Sequence, residues 1–358
     1  MNKLYKIGCS ALCGSLAAVS AANAGGLSAS GSAQATWQSN QGANNGNPIG
    51  LNSAIAFAGN GELDNGSTFT LTLSQLDKEA WSSGSLAITT PSFGSFRIGS
   101  ADGGMGVGSK DDVMPTAWEE SWGHGLGTGI DRVSGAGSSM DLGYTTPEVI
   151  GSTLSLQYAP KNNGVQGTDK GTSGTNTGAD RKQTAYDIML DMNKSYAYMM
   201  PNVFVGYSAS EQDGHQQIAD LGSEGAMDDH EELVVGAVFS IGPVKAGAQV
   251  SGEWLGNNNN VTTTDVAGYK NIAYGVSFNV NDDLAGSWNK FESKKGLVSG
   301  DQGSGPTQVV TDIESLQVSY TMGGASIKVA DSQVANQTYA TGTSNDKDGT
   351  TIALSLAF

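Results

Sequence analysis

Thr351-Ile352-Ala353-Leu354-Ser355-Leu356-Ala357-Phe358 alternates without a break and ends on an aromatic residue. Ile352, Leu354, Leu356 and Phe358 share one face; Thr351, Ala353, Ser355 and Ala357 share the other. A period of two is the signature of a β-strand. One apolar face and one small or polar face put such a strand between an apolar medium and a wet one.

The same parity recurs upstream. Phe69, Leu71 and Leu73 oppose Thr70, Thr72 and Ser74, and Leu154, Leu156 and Tyr158 oppose Ser155 and Gln157. Ile272, Tyr274, Val276 and Phe278 oppose Ala273, Ser277 and Asn279, and Leu316, Val318 and Tyr320 oppose Ser315, Gln317 and Ser319. Gly, Asn and Asp clusters divide the chain into sixteen expected strands, near 27–38, 49–59, 67–77, 84–90, 95–100, 138–146, 152–159, 182–193, 201–210, 232–242, 244–254, 267–279, 284–292, 312–322, 325–333 and 349–358. Short turns alternate with long connections, the longest at 101–137. An up-and-down membrane barrel has this asymmetry, with short turns at one rim and long loops at the other. Several of the strands have the roughly 9–11 residues needed to cross a bilayer. Trp37, Trp81, Tyr144, Tyr158, Tyr207, Trp254, Trp288 and Tyr320 fall near strand ends, as interfacial girdles require.

The beginning of the chain has a different character. Lys3 and Lys6 precede a mostly apolar run from Ile7 to about Val19, then Ala22-Asn23-Ala24. That order predicts a secretory signal peptide over residues 1–24 and one domain over 25–358. Both cysteines, Cys9 and Cys13, fall in the signal segment, so no disulfide is expected beyond it. Residues 25–358 carry 35 Asp+Glu; removing Lys3 and Lys6 from 18 Lys+Arg leaves 16. So acidic a chain is no nucleic-acid binder. No apolar run is long enough for a spanning helix. The composition reads all-β.

Together these features resemble the general diffusion porins of the Gram-negative outer membrane. The resemblance covers Gly25 to Phe358 and is architectural: the Ala22-Asn23-Ala24 site, sixteen strands, a long third loop and the closing Ile-Ala-Leu-Ser-Leu-Ala-Phe. It implies a transmembrane antiparallel barrel with the third loop folded into the lumen as a constriction. It also implies a bacterial outer-membrane location, passage of small hydrophilic solutes, a homotrimer, and recognition by the barrel-assembly machinery through Phe358. The outer wall would meet membrane lipid, and no cofactor is implied.

Phe93-Gly94-Ser95-Phe96-Arg97-Ile98-Gly99-Ser100 is similar to the family's strand leading into that loop, which here spans 101–137. Its repeated glycines let the backbone turn sharply and pack closely. Trp118 and Trp122 are placed to pin it to the wall. In the family, loop carboxylates face wall cations across the constriction. The matching residues here are Asp102, Asp111, Asp112, Glu119 and Glu120 on the loop side. Arg97 is the wall cation with lumen parity, and Lys110 and Arg132 are loop cations. Asp141, Lys245 and Lys328 have lumen parity in their strands. A dense arginine cluster is missing, so carboxylates dominate and a mild preference for cations is expected. The alternatives are a solvated turn for Asp111 and Asp112, and a wall-internal ion pair for Arg97.

Asp228-Asp229-His230-Glu231-Glu232 offers Asp228, Asp229 and Glu231 as calcium candidates, though the spacing matches no EF-hand and a solvated loop is the simpler reading. Catalysis finds no support: His124, His215 and His230 all fall in expected loops, and no nucleophile elbow occurs. Three other readings remain. A substrate-selective channel would need an aromatic or basic ladder in the lumen, and an adhesin solenoid would need a constant repeat. The third is a plugged barrel that serves as a non-conducting structural element.

Overall fold

The computed structural model describes residues 25–40, 47–77, 82–100, 105–136, 140–160, 182–193, 200–212, 228–256, 266–297 and 308–358. They form sixteen antiparallel strands: β1 (Gly26–Asn40), β2 (Ile49–Glu62), β3 (Thr68–Leu76), β4 (Ser83–Thr90), β5 (Gly94–Ser100), β6 (Met140–Thr145), β7 (Ser152–Ala159) and β8 (Lys182–Met192). The second half comprises β9 (Met200–Gln212), β10 (His230–Ile241), β11 (Val244–Trp254), β12 (Val266–Asn279), β13 (Leu284–Leu297), β14 (Gln308–Met322), β15 (Ala325–Ala335) and β16 (Lys347–Ala357). Each strand pairs with its sequence neighbours, and β1 pairs with β16 to close the barrel. Closure leaves no open sheet edge, which a lipid environment demands of any spanning sheet.

The closing strand behaves as its alternation requires. Leu354 opposes Ala35 and Leu356 opposes Ala33 across the seam. Beyond them the Gly31 N–H donates to the Phe358 carbonyl at 2.8 Å, and the Phe358 N–H returns to the Gly31 carbonyl at 3.0 Å. A Cβ at Gly31 would stand 2.5 Å from the Phe358 ring. The small outward residues of β1 therefore seat the terminal aromatic at the seam.

Parity sorts the wall into two environments. On β14, Leu316 is 61% exposed on the outside while Gln317 is 1% exposed on the inside. Trp37, Tyr158, Trp254 and Tyr320 are exposed on the outer face; Trp81 lies outside the described residues.

Two departures from simple parity matter. On the outer face of β13 and β14, toward the long-loop rim, Lys290 pairs with Glu292 at 3.0 Å and with Asp312 at 2.7 Å. Pairing lowers the cost of charges on an otherwise apolar wall. On the inner face, aromatic and aliphatic side chains occur where a polar lumen is expected. Phe204, Met189 and Val234 gather with Val107 and Val133, and Phe291, Ile313 and Val334 gather with Met114 and Leu126. Both groups join the wall to the third loop, so these inward apolar residues face protein, not water. Among the described aromatics of the strands, Phe204 and Phe291 are inward exceptions to a set that mostly faces outward.

Candidate functional site

The third loop, described over 105–136, lies inside the barrel and is tied to much of its circumference. Its outgoing arm begins where the Met105 and Gly106 N–H groups donate to Gln157 Oε1 on β7, at 3.2 and 3.0 Å. Val107 N–H then donates to Asp187 Oδ2 on β8 at 3.0 Å. Next, Gln249 Nε2 on β11 donates to the Lys110 carbonyl at 2.9 Å. Ala117 N–H reaches Ser287 Oγ on β13 at 2.8 Å. Trp118 and Glu119 N–H both reach Gln317 Oε1 on β14 at 3.1 Å. At the far wall the His124 carbonyl accepts from Gln38 of β1 at 2.6 Å and from Thr351 of β16 at 3.0 Å.

The return arm follows a second track. Leu126 and Thr128 carbonyls accept from Gln337 and from the Thr338 N–H, both at 2.9 Å. Asp131 N–H donates to the Tyr339 hydroxyl at 2.9 Å. Burial, the largest influence, raises the Tyr339 phenol above its ordinary pKa, and its hydroxyl also shares a hydrogen bond with Ser293 Oγ at 2.7 Å. Glu232 on β10 accepts from Ser134 N–H at 2.8 Å and Gly135 N–H at 2.7 Å. Ala136 N–H closes the circuit on Asp187 at 3.1 Å. One buried carboxylate thus holds both arms. The close approach needs glycine: a Cβ would meet the Asp187 carboxylate at 1.9 Å from Gly106 and 2.4 Å from Gly135. Gly135 also has φ +59°, which favours glycine.

The charged residues fall into a different pattern from the one the resemblance implies. Arg97 donates to Asp141 at 2.7 Å within the wall, both side chains largely buried. Lys110 of the loop pairs with Asp191 of β8 at 2.5 Å. Arg132 pairs with Asp111 at 2.6 Å inside the loop and stacks 3.7 Å above the Trp122 ring, a favourable cation–π position. Here, then, a loop cation meets a wall acid. Lys328 is buried in the wall on β15. Asp112 and Glu120 are buried in the loop, whereas Asp111 and Glu119 are half-exposed. Lys245 is exposed at the short-turn end of β11, away from the loop ties. Asp102 lies outside the described residues. Trp118 stacks against His124 at 4.9 Å.

The calcium candidates are not brought together. Asp228 and Asp229 are exposed ahead of β10, and Glu231 points outward to accept from the Tyr207 hydroxyl at 2.7 Å. His230 opens β10 and does not lie in a loop, which corrects its expected position. Alternation along that strand turns His230 and Glu232 inward and Glu231 outward. Glu232, Asp187 and Gln317 organise the loop, a role the sequence did not reveal. Parity marks all three as lumen-facing, but their partners are remote in sequence.

A closed barrel, apolar outside and polar inside, with one loop fixed across its interior, is a passive outer-membrane diffusion channel. The chain belongs to the Gram-negative porin family, whose model matches residues 8–355. No curated protein matches it by sequence. Solved structures share its fold. Salmonella typhi OmpF in complex with daunomycin superposes at TM-score 0.65 and 15% identity, covering 94% of this chain and 98% of that one. The trimer form of Vibrio cholerae OmpT gives 0.62 at 12% identity, covering 94% and 100%. An anion-selective porin from Comamonas acidovorans gives 0.57 at 13%, covering 93% and 100%.

Proposed function

We propose that this channel passes small hydrophilic solutes and ions with a mild preference for cations, and that it is not an enzyme. The observation that carries the reading is the third loop laid across a polar interior, with partly exposed Glu119 on it, in a chain of 35 acidic against 18 basic side chains. Carboxylates at a narrow passage favour cations. Residues 1–24 direct export and are removed. Membrane lipid covers the outer wall, the long loops face outward from the cell, and the assembly machinery reads the strand ending at Phe358. The trimer form of OmpT supports a homotrimer.

The test is single-channel current in a planar bilayer, with reversal potential under a KCl gradient. Current steps in threes, favouring K⁺, are the expected result; insertion without conduction would mean a plugged barrel. Replacing Asp111, Asp112, Glu119 and Glu120 by Asn or Gln should lower the K⁺ preference while the barrel still folds. Unchanged selectivity in the folded variant removes these residues from the throat.

A further inference from the structure

We infer that His230, Glu232 and Glu253 form a binding site for a divalent transition-metal ion at the long-loop mouth of the barrel. Glu232 and Glu253 are directly opposed on β10 and β11, both facing inward. Like charges placed directly opposite each other on a sheet are destabilising, and both are largely buried here. His230 sits two residues before Glu232 on the same face. Its Nε2 lies 3.8 Å from a Glu232 oxygen and 3.5 Å from a Glu253 oxygen. The three ligand atoms all fall within 4.8 Å of one another.

His230 at these distances is an ion-pair partner of both carboxylates when it is protonated, and the same separations suit ligands around one ion. Metal–nitrogen and metal–oxygen distances of about 2.0–2.2 Å at a tetrahedral angle put ligand atoms about 3.4 Å apart. A second observation points to the same place. Ser210 is the cross-strand partner of His230 on β9. It is 1% exposed, and its Oγ is buried without a hydrogen-bond partner. A hydroxyl there is placed to bond a water held on the ion. One imidazole with two carboxylates favours zinc-like ions over calcium, which takes oxygen ligands in larger number.

The site bears on the loop. Glu232 Oε2 already accepts the Ser134 and Gly135 N–H groups. Its Oε1 accepts the Ser134 hydroxyl at 3.1 Å, so an ion sharing that oxygen would add to a carboxylate that already ties the return arm to β10.

The probe is Zn²⁺ alone, added to the full folded protein in detergent. Bound metal is measured by equilibrium dialysis, and folding by heat-dependent gel mobility. One Zn²⁺ per chain is expected. His230→Gln and Glu253→Gln should each weaken binding at least tenfold, and Ser210→Ala by about tenfold, the scale of an outer-shell loss. Glu231→Gln, on the outer face of the same strand, should bind as the parent does. Two results would overturn the site: Zn²⁺ uptake unchanged by both ligand substitutions in folded protein, or no uptake by the parent. Equal competition by Ca²⁺ would overturn its assignment to transition metals.

Discussion

Asp187 is the residue on which the third loop turns. Its carboxylate receives Val107 from the outgoing arm and Ala136 from the returning arm, and it is 2% exposed. Hydrogen bonds to a charged acceptor contribute about 1.5–3 kcal/mol each, so Asp187→Ala removes roughly 3 kcal/mol or more of loop anchoring. The barrel ladder is untouched by the change. The expected outcome is a folded channel with larger, noisier unitary current in bilayer recordings. Asp187→Asn, which keeps one acceptor oxygen, should fall between. Parity alone marks Asp187 as lumen-facing. It does not reveal that amides 80 and 51 positions away converge on it, because hydrogen-bond partners across a loop leave no periodic trace.

At the scale of elements, the loop and the wall are fitted by two apolar contacts, one around Phe204 and Met189 and one around Phe291 and Ile313. Truncating buried Phe or Ile to Ala costs about 2–5 kcal/mol where the neighbours cannot collapse into the gap. In a barrel closed by strand pairing, that loss falls on the loop's seat. Phe291→Ala with Ile313→Ala should therefore speed proteolysis within the loop while heat-dependent gel mobility stays as in the parent. The strands themselves were legible because one wall face meets an apolar medium and the other polar groups, which enforces alternation over many residues. The inward apolar patches were not legible, since alternation reports the side of a residue and not what lies beyond it. His230 was misplaced for a related reason. A run of five polar residues reads as a loop, yet the strand begins inside it and splits the run between two faces.

For the whole molecule, the excess of 35 acidic over 18 basic side chains sets the sign of the field, while pairing limits its strength. Arg97 with Asp141, Lys110 with Asp191 and Arg132 with Asp111 are all engaged in ion pairs. Any preference for cations then has two sources: the diffuse negative charge of the chain, or carboxylates at the loop. Salt separates them. The Debye length is about 10 Å at 0.1 M and about 3 Å at 1 M. A diffuse field acts across a wide lumen and is screened at high salt. A carboxylate within contact distance of a passing ion is screened far less. Reversal potentials at a fixed KCl ratio, recorded around 0.1 M and again around 1 M, should show the K⁺ preference shrinking toward unity if the diffuse field dominates. Because Asp112 and Glu120 are buried and Asp111 is paired, most of the preference is expected to be lost. The remainder at 1 M should fall in Glu119→Gln, because Glu119 is a partly exposed carboxylate of the loop, and a remainder that does not fall would assign the preference to the diffuse field alone.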